Sequence, residues 1–136
     1  MSLFGSIGIS ASGIDASQTW INAAAGNIAN AQDAVSTNQP AYQPETPVLT
    51  PVSSTVPGTV GDGVTVSAVD LGSAAGIVTY DPSNPLSNAQ GLVRYPDVST
   101  PTQLVDLVEA QNSYQANAAA LQRATTAYQS IITLRG

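Results

Sequence analysis

The sequence predicts a mainly α-helical chain with a small β or irregular middle. A long helix at each end is expected to pair with the other as an antiparallel coiled coil, with a short β-hairpin or extended arm between them. Three observations point there. All nine prolines fall between residues 40 and 101, leaving both ends free of helix breakers. Ile7, Ile14, Ile21 and Ile28 recur every seven residues near the start, and Leu107, Tyr114, Leu121 and Tyr128 do so near the end. The predicted organisation is an N-terminal helix over 1–35, a proline-rich loop and small β region over 36–100, and a C-terminal helix over 101–136. The two helices would form one coiled-coil domain.

In the first helix, Ser10, Ser17, Ala24 and Ala31 stand three residues after the isoleucines. One large residue per two turns, flanked by small ones, makes a narrow heptad seam. Gly8 and Gly13 weaken its start, since glycine costs about 1 kcal/mol against alanine inside a helix. Fraying is therefore expected before about Ser12, and a soft end near Ala31 to Val35.

The middle opens on a proline-rich run, Asn38 to Gly58, which reads as an extended loop. "GVTVSAV", from Gly63 to Val69, alternates like a strand. "GIVTY" and "GLVRY" are each opened by glycine and closed by tyrosine before Asp or Pro. "DPSNPLSNAQ" between them is turn-rich, so a small antiparallel hairpin or extended arm is expected.

The last helix repeats the device of the first. Ala110, Asn117, Ala124 and Ile131 stand at the +3 positions, with Leu104, Gln111, Ala118, Thr125 and Ile132 on the flank. Thr100 is expected to cap, Pro101 to take the first helical position and Gln103 to complete a capping box. Two such narrow stripes bury little on their own, and other chains are expected to cover what remains.

The residue inventory excludes most chemistry. With no His and no Cys, zinc sites, Ser-His-Asp triads and thiol nucleophiles are absent, and neither cofactor nor metal is expected. The nine carboxylates are scattered singly, and no phosphate-binding glycine loop occurs. Three arginines, no lysine and a net charge of −6 disfavour nucleic acid and anionic membrane surfaces. No apolar run approaches the ~20 residues that span a bilayer. "MSLFGSIGIS" lacks the basic and apolar regions of a signal peptide, so the expectation is a cytoplasmic protein or one exported without a cleaved signal.

One block is more specific than the rest. "YDPSNPLSNAQGLVRYPDV", Tyr80 to Val98, resembles the signature of the FlgC-type rod family of the bacterial flagellar basal body. The matching residues are Tyr80, Asp81, Pro82, Pro85, Gly91, Val93, Tyr95, Pro96 and Val98. "NAAAGNIANAQ" is similar to the Asn-rich segment near the start of flagellar axial proteins, through Asn27, Ile28, Ala29 and Asn30. Ser113, Tyr114, Ala116 and Asn117 resemble the corresponding C-terminal segment.

The resemblance implies a structural protein rather than an enzyme. It would leave the cell through the flagellar type III export gate without signal cleavage and assemble helically into the rod, the hollow drive shaft that carries torque from rotor to hook. Its partners would be itself, other rod subunits and neighbouring ring and export-gate components, with no nucleic acid and no small-molecule substrate. Its place would be the basal body, crossing the periplasm or cell wall. The residues expected at subunit interfaces are Ile7, Ile14, Ile21, Ile28, Asn27, Asn30, Tyr80, Asp81, Pro82, Gly91, Tyr95, Pro96, Leu107, Tyr114, Asn117, Leu121, Tyr128 and Ile132. The Tyr80–Val98 segment has two readings, a stiff arm that contacts neighbours or a tight hairpin that only connects elements. The alternatives to the rod subunit are another rod or hook axial protein and a small cytoplasmic coiled-coil module such as an export chaperone.

Overall fold

The computed structural model describes residues 3–54 and 61–134. Residues 55–60 of the proline-rich run, and the first two and last two residues of the chain, lie outside the described residues. The elements are helix α1 (Leu3–Asn30), strands β1 (Glu45–Val52), β2 (Gly63–Leu71), β3 (Ile77–Tyr80) and β4 (Leu92–Tyr95), and helix α2 (Thr100–Thr133). β1 pairs with β2 and β3 with β4, giving two separate two-stranded antiparallel sheets.

Helix α1 is the hub, touching α2 and both strands of the β1–β2 hairpin. The two helices run antiparallel. Asn27 meets Gln103 at one end, Ser17 meets Ser113 midway, and the Phe4 and Tyr128 rings meet edge to face at the other end. The α1 positions buried along this line, Ser10, Gly13, Ser17, Ala24, Asn27 and Ala31, follow alternating spacings of three, four or a full heptad. On α2, Ala110 and Ala124 are the buried pair. The isoleucines of the heptad are only half-buried beside this small-residue line. Small side chains let the helix backbones approach closely, which moves the bulkier isoleucines to the flanks.

The core is accordingly thin. Its hydrophobic members among the described residues are seven alanines and Val93. An alanine methyl contributes about 0.8 kcal/mol on burial, against about 1.5–3 for a leucine or isoleucine. Val93, wholly buried, anchors the second sheet, whose ladder is extended by a bridge between Val35 and Arg94.

Several expectations are corrected. The proline-rich run is not all loop, since Glu45–Val52 forms β1. Pro47 and Pro51 fit because a two-stranded sheet leaves each strand one open edge, where a missing N–H breaks no ladder bond. The ladder shifts register between Val48 and Leu49, and the Ser67 hydroxyl at that irregularity donates to the Val48 carbonyl. Helix α1 does not fray before Ser12 but begins at Leu3, where Phe4 lies against Tyr128. It also stops at Asn30, short of Val35, because Val35 is drawn into the bridge with Arg94. The α2 cap is Ser99 rather than Thr100, and Gln103 makes no capping box because its side chain reaches Asn27 and Asp106 instead.

Candidate assembly surfaces

Asn27 is the most fully engaged of the residues singled out from the sequence. It is 1% exposed, and all four hydrogen-bonding positions of its amide are filled. Its Nδ2 donates to Gln103 Oε1 at 2.7 Å and to the Glu45 carbonyl at 2.8 Å. Its Oδ1 accepts from the Glu45 N–H at 2.8 Å and from the Tyr42 hydroxyl at 3.0 Å. One side chain thus ties α1, the start of α2 and the start of β1. Burial, with the Glu45 charge adding to it, raises the Tyr42 phenol above the ordinary tyrosine value, so Tyr42 stays a donor. Asn30 has a smaller role, its Nδ2 bonding the Gly26 carbonyl of its own helix.

The Tyr80–Val98 block closes the β3–β4 hairpin with its own polar groups. Asp81 Oδ1 accepts from the Ser83 hydroxyl at 2.7 Å and Oδ2 from the Tyr95 hydroxyl at 3.1 Å. These bonds, Ser83 foremost, hold the Asp81 carboxyl below the ordinary aspartate value. The Asp81 N–H donates to the Gly91 carbonyl, and Asn88 Oδ1 accepts the N–H groups of Gln90 and Leu92. Gly91 sits at φ +73, and a Cβ there would stand 2.8 Å from the Tyr80 ring and 3.1 Å from Pro82. Tyr80, Asp81, Pro82, Gly91 and Tyr95 are therefore brought together in one turn. Pro96 is buried behind it, while Tyr80 turns outward at 70% exposed.

The heptad residues divide. Ile14, Tyr114 and Leu121 line one groove of about 580 Å³ between the helices. Ile7, Ile21, Ile28, Leu107 and Tyr128 are half-buried, and Ile132 lies open to solvent. Asn117 is half-buried and lies over Gly13. Sequence reasoning missed Gln103, Tyr42 and Glu45 as partners of Asn27, because they lie far away or across a turn with no periodic relation to it. It also missed the outward apolar faces: Leu104, Val105 and Val108 on α2, Val69 and Leu71 on β2, and Ile77 and Val78 on β3.

Nothing in this geometry resembles a reaction centre. Among the described residues no three metal-ligating side chains come together, and no described helix is long and apolar enough to cross a membrane. Two antiparallel helices with a thin seam, two β-hairpins and large apolar side chains facing outward suit a structural subunit whose faces other chains cover. Comparison with known proteins makes this specific. Residues 89–134 match the family described as flagellar basal body rod FlgEFG protein C-terminal. The flagellar basal-body rod protein FlgC of Escherichia coli O157:H7 is 31% identical over 134 residues, 98% of each chain. FlgC of Salmonella typhimurium is 32% identical over 117 residues, 86% of each chain. FlgC of Aquifex aeolicus is 32% identical over 119 residues, 86% of this chain and 85% of the relative. The chain belongs to the FlgC family of flagellar basal-body rod proteins, and is a structural rod component of the basal body, not an enzyme.

Proposed function

We propose that this chain is exported by the flagellar type III system and assembles helically, with itself and other rod subunits, into the hollow shaft that transmits torque from rotor to hook. Neighbouring ring and export-gate components are its further partners. Its terminal helices pair as an antiparallel coiled coil, supported by the three- and four-residue spacing of the buried α1 positions. Its interface residues include the heptad isoleucines and tyrosines and the outward Tyr80. The terminal helices and central region make up the working units, 1–35, 36–100 and 101–136.

The observation that carries this reading is the amount of large apolar side chain left open in a chain whose full length matches rod proteins. Leu104, Val105 and Val108, on adjoining positions of α2, are each at least half exposed. Exposed apolar clusters on a thin-cored chain mark surfaces that another chain covers. The test is Val105→Asp with Val108→Asp, expressed in place of the native chain. The substitutions touch exposed positions, so the purified variant keeps its far-ultraviolet helix signal, while the cells are expected to lose swimming. Normal swimming with the variant assembled would overturn the assignment of this face.

A further inference from the structure

A two-stranded sheet has an outer edge on each strand, and this chain closes most of its edges itself. On β1, Pro47 and Pro51 have no N–H to offer, and the Glu45 backbone is taken by Asn27. The outer edge of β4 is taken by Val35, and the Val64 N–H at the start of β2 by Ser12 Oγ. Two short stretches are left. The Gly72 N–H bonds the Pro44 carbonyl and the Asp81 N–H the Gly91 carbonyl, which fixes the alternation along each ladder. It turns the N–H and C=O groups of Val69 and Leu71 on β2, and of Val78 and Tyr80 on β3, away from their partner strands. Among the described residues no bond from elsewhere in the chain reaches them. The four side chains are 44%, 59%, 48% and 70% exposed, and β3 packs on no element but β4. Neither stretch carries the lysine or proline that ordinarily guards an edge.

We propose that these stretches are the two halves of one contact: the β2 edge of one copy of this chain pairs antiparallel with the β3 edge of a second copy. Val69 then faces Tyr80 of the second copy and Leu71 faces Val78, and each of the four residues both gives and accepts one backbone bond. Their side chains lie along one face, aromatic and aliphatic neighbours of the kind that stabilise a ladder. On the other face Asp70 stands opposite Thr79, whose hydroxyl donates to the carboxylate. Charge disfavours β2 pairing with itself, since the matching register sets Asp70 against Asp70. Pairing β3 with itself leaves Val69 and Leu71 uncovered. The head-to-tail order rests on the rod reading: a shaft grows by contacts in which each copy offers one edge backward and a different one forward.

The chain has no native cysteine, so introduced cysteines trap the contact. Full-length Asp70→Cys and full-length Thr79→Cys are purified separately, mixed at ~1 mM, where weak contacts are populated, and oxidised. Residues 70 and 79 fall directly opposite in a pair without backbone bonds, about 4.5 Å between Cα atoms, which a disulfide spans. The mixed dimer is expected to exceed either homodimer at least ~10-fold, because only opposed positions come within disulfide reach. Val78→Pro in the Thr79→Cys chain, or Val69→Pro in the Asp70→Cys chain, removes only an outward N–H, and is expected to cut the mixed dimer ~10-fold with the far-ultraviolet spectrum retained. The proposal is overturned if no mixed dimer forms, if homodimers match it, or if both folded proline variants leave it unchanged. Basal bodies that contain the chain, with no mixed dimer in solution, would overturn this contact and leave the rod reading standing. A mixed dimer from a chain absent from basal bodies would overturn the rod reading and leave the edge pairing standing.

Discussion

At the scale of single residues, this chain invests in polar precision where most domains rely on apolar bulk. Asn27 ends up with every donor and acceptor used, and removing it leaves the Glu45 N–H, the Glu45 carbonyl, the Tyr42 hydroxyl and Gln103 Oε1 each short of a partner. Unsatisfied buried groups cost about 1–3 kcal/mol each, with partial rescue by water, so Asn27→Ala is expected to lower stability by ~3 kcal/mol in urea titration. Asn30→Ala, which removes a bond within its own helix, is expected to stay under ~1 kcal/mol in the same titration. Equal losses for the two would contradict the role given to Asn27. The sequence marks both asparagines as alike members of one motif. Only the fold separates them, because the partners of Asn27 come from segments whose positions depend on how the hairpin folds back.

At the scale of elements, strands β2, β3 and β4 were legible, each from a glycine and an alternating or β-branched run. Strand β1 was not, since prolines speak against a strand until its open edge is known. The glycines show the same dependence on context. Gly8 and Gly13 read alike as weaknesses in a helix, yet a Cβ at Gly8 meets nothing within 4 Å while one at Gly13 meets Asn117. Gly8→Ala is therefore expected to stabilise by up to ~1 kcal/mol. Gly91→Ala, at positive φ and against the Tyr80 ring, is expected to destabilise by ~2–3 kcal/mol. Thermal unfolding of both variants checks the pair, and a neutral Gly91→Ala would show that the turn does not need its left-handed residue. The Tyr80–Val98 block follows from this turn: its aspartate, asparagines and glycine serve the hairpin from within, and its tyrosine at position 80 faces outward.

At the scale of the whole molecule, helix pairing and hairpins leave more apolar surface open than a self-sufficient domain would. The heptads announced long helices but not which heptad position faces inward, because the close approach of small residues, visible only in three dimensions, displaces the isoleucines. The central claim is that this chain is a component of the rod. Mass spectrometry of hook–basal bodies purified from the source cells tests it most directly. The account predicts that the chain is present in them, at a level comparable with other rod proteins. Intact basal bodies without it, and the chain found only among soluble cytoplasmic proteins, would contradict the account.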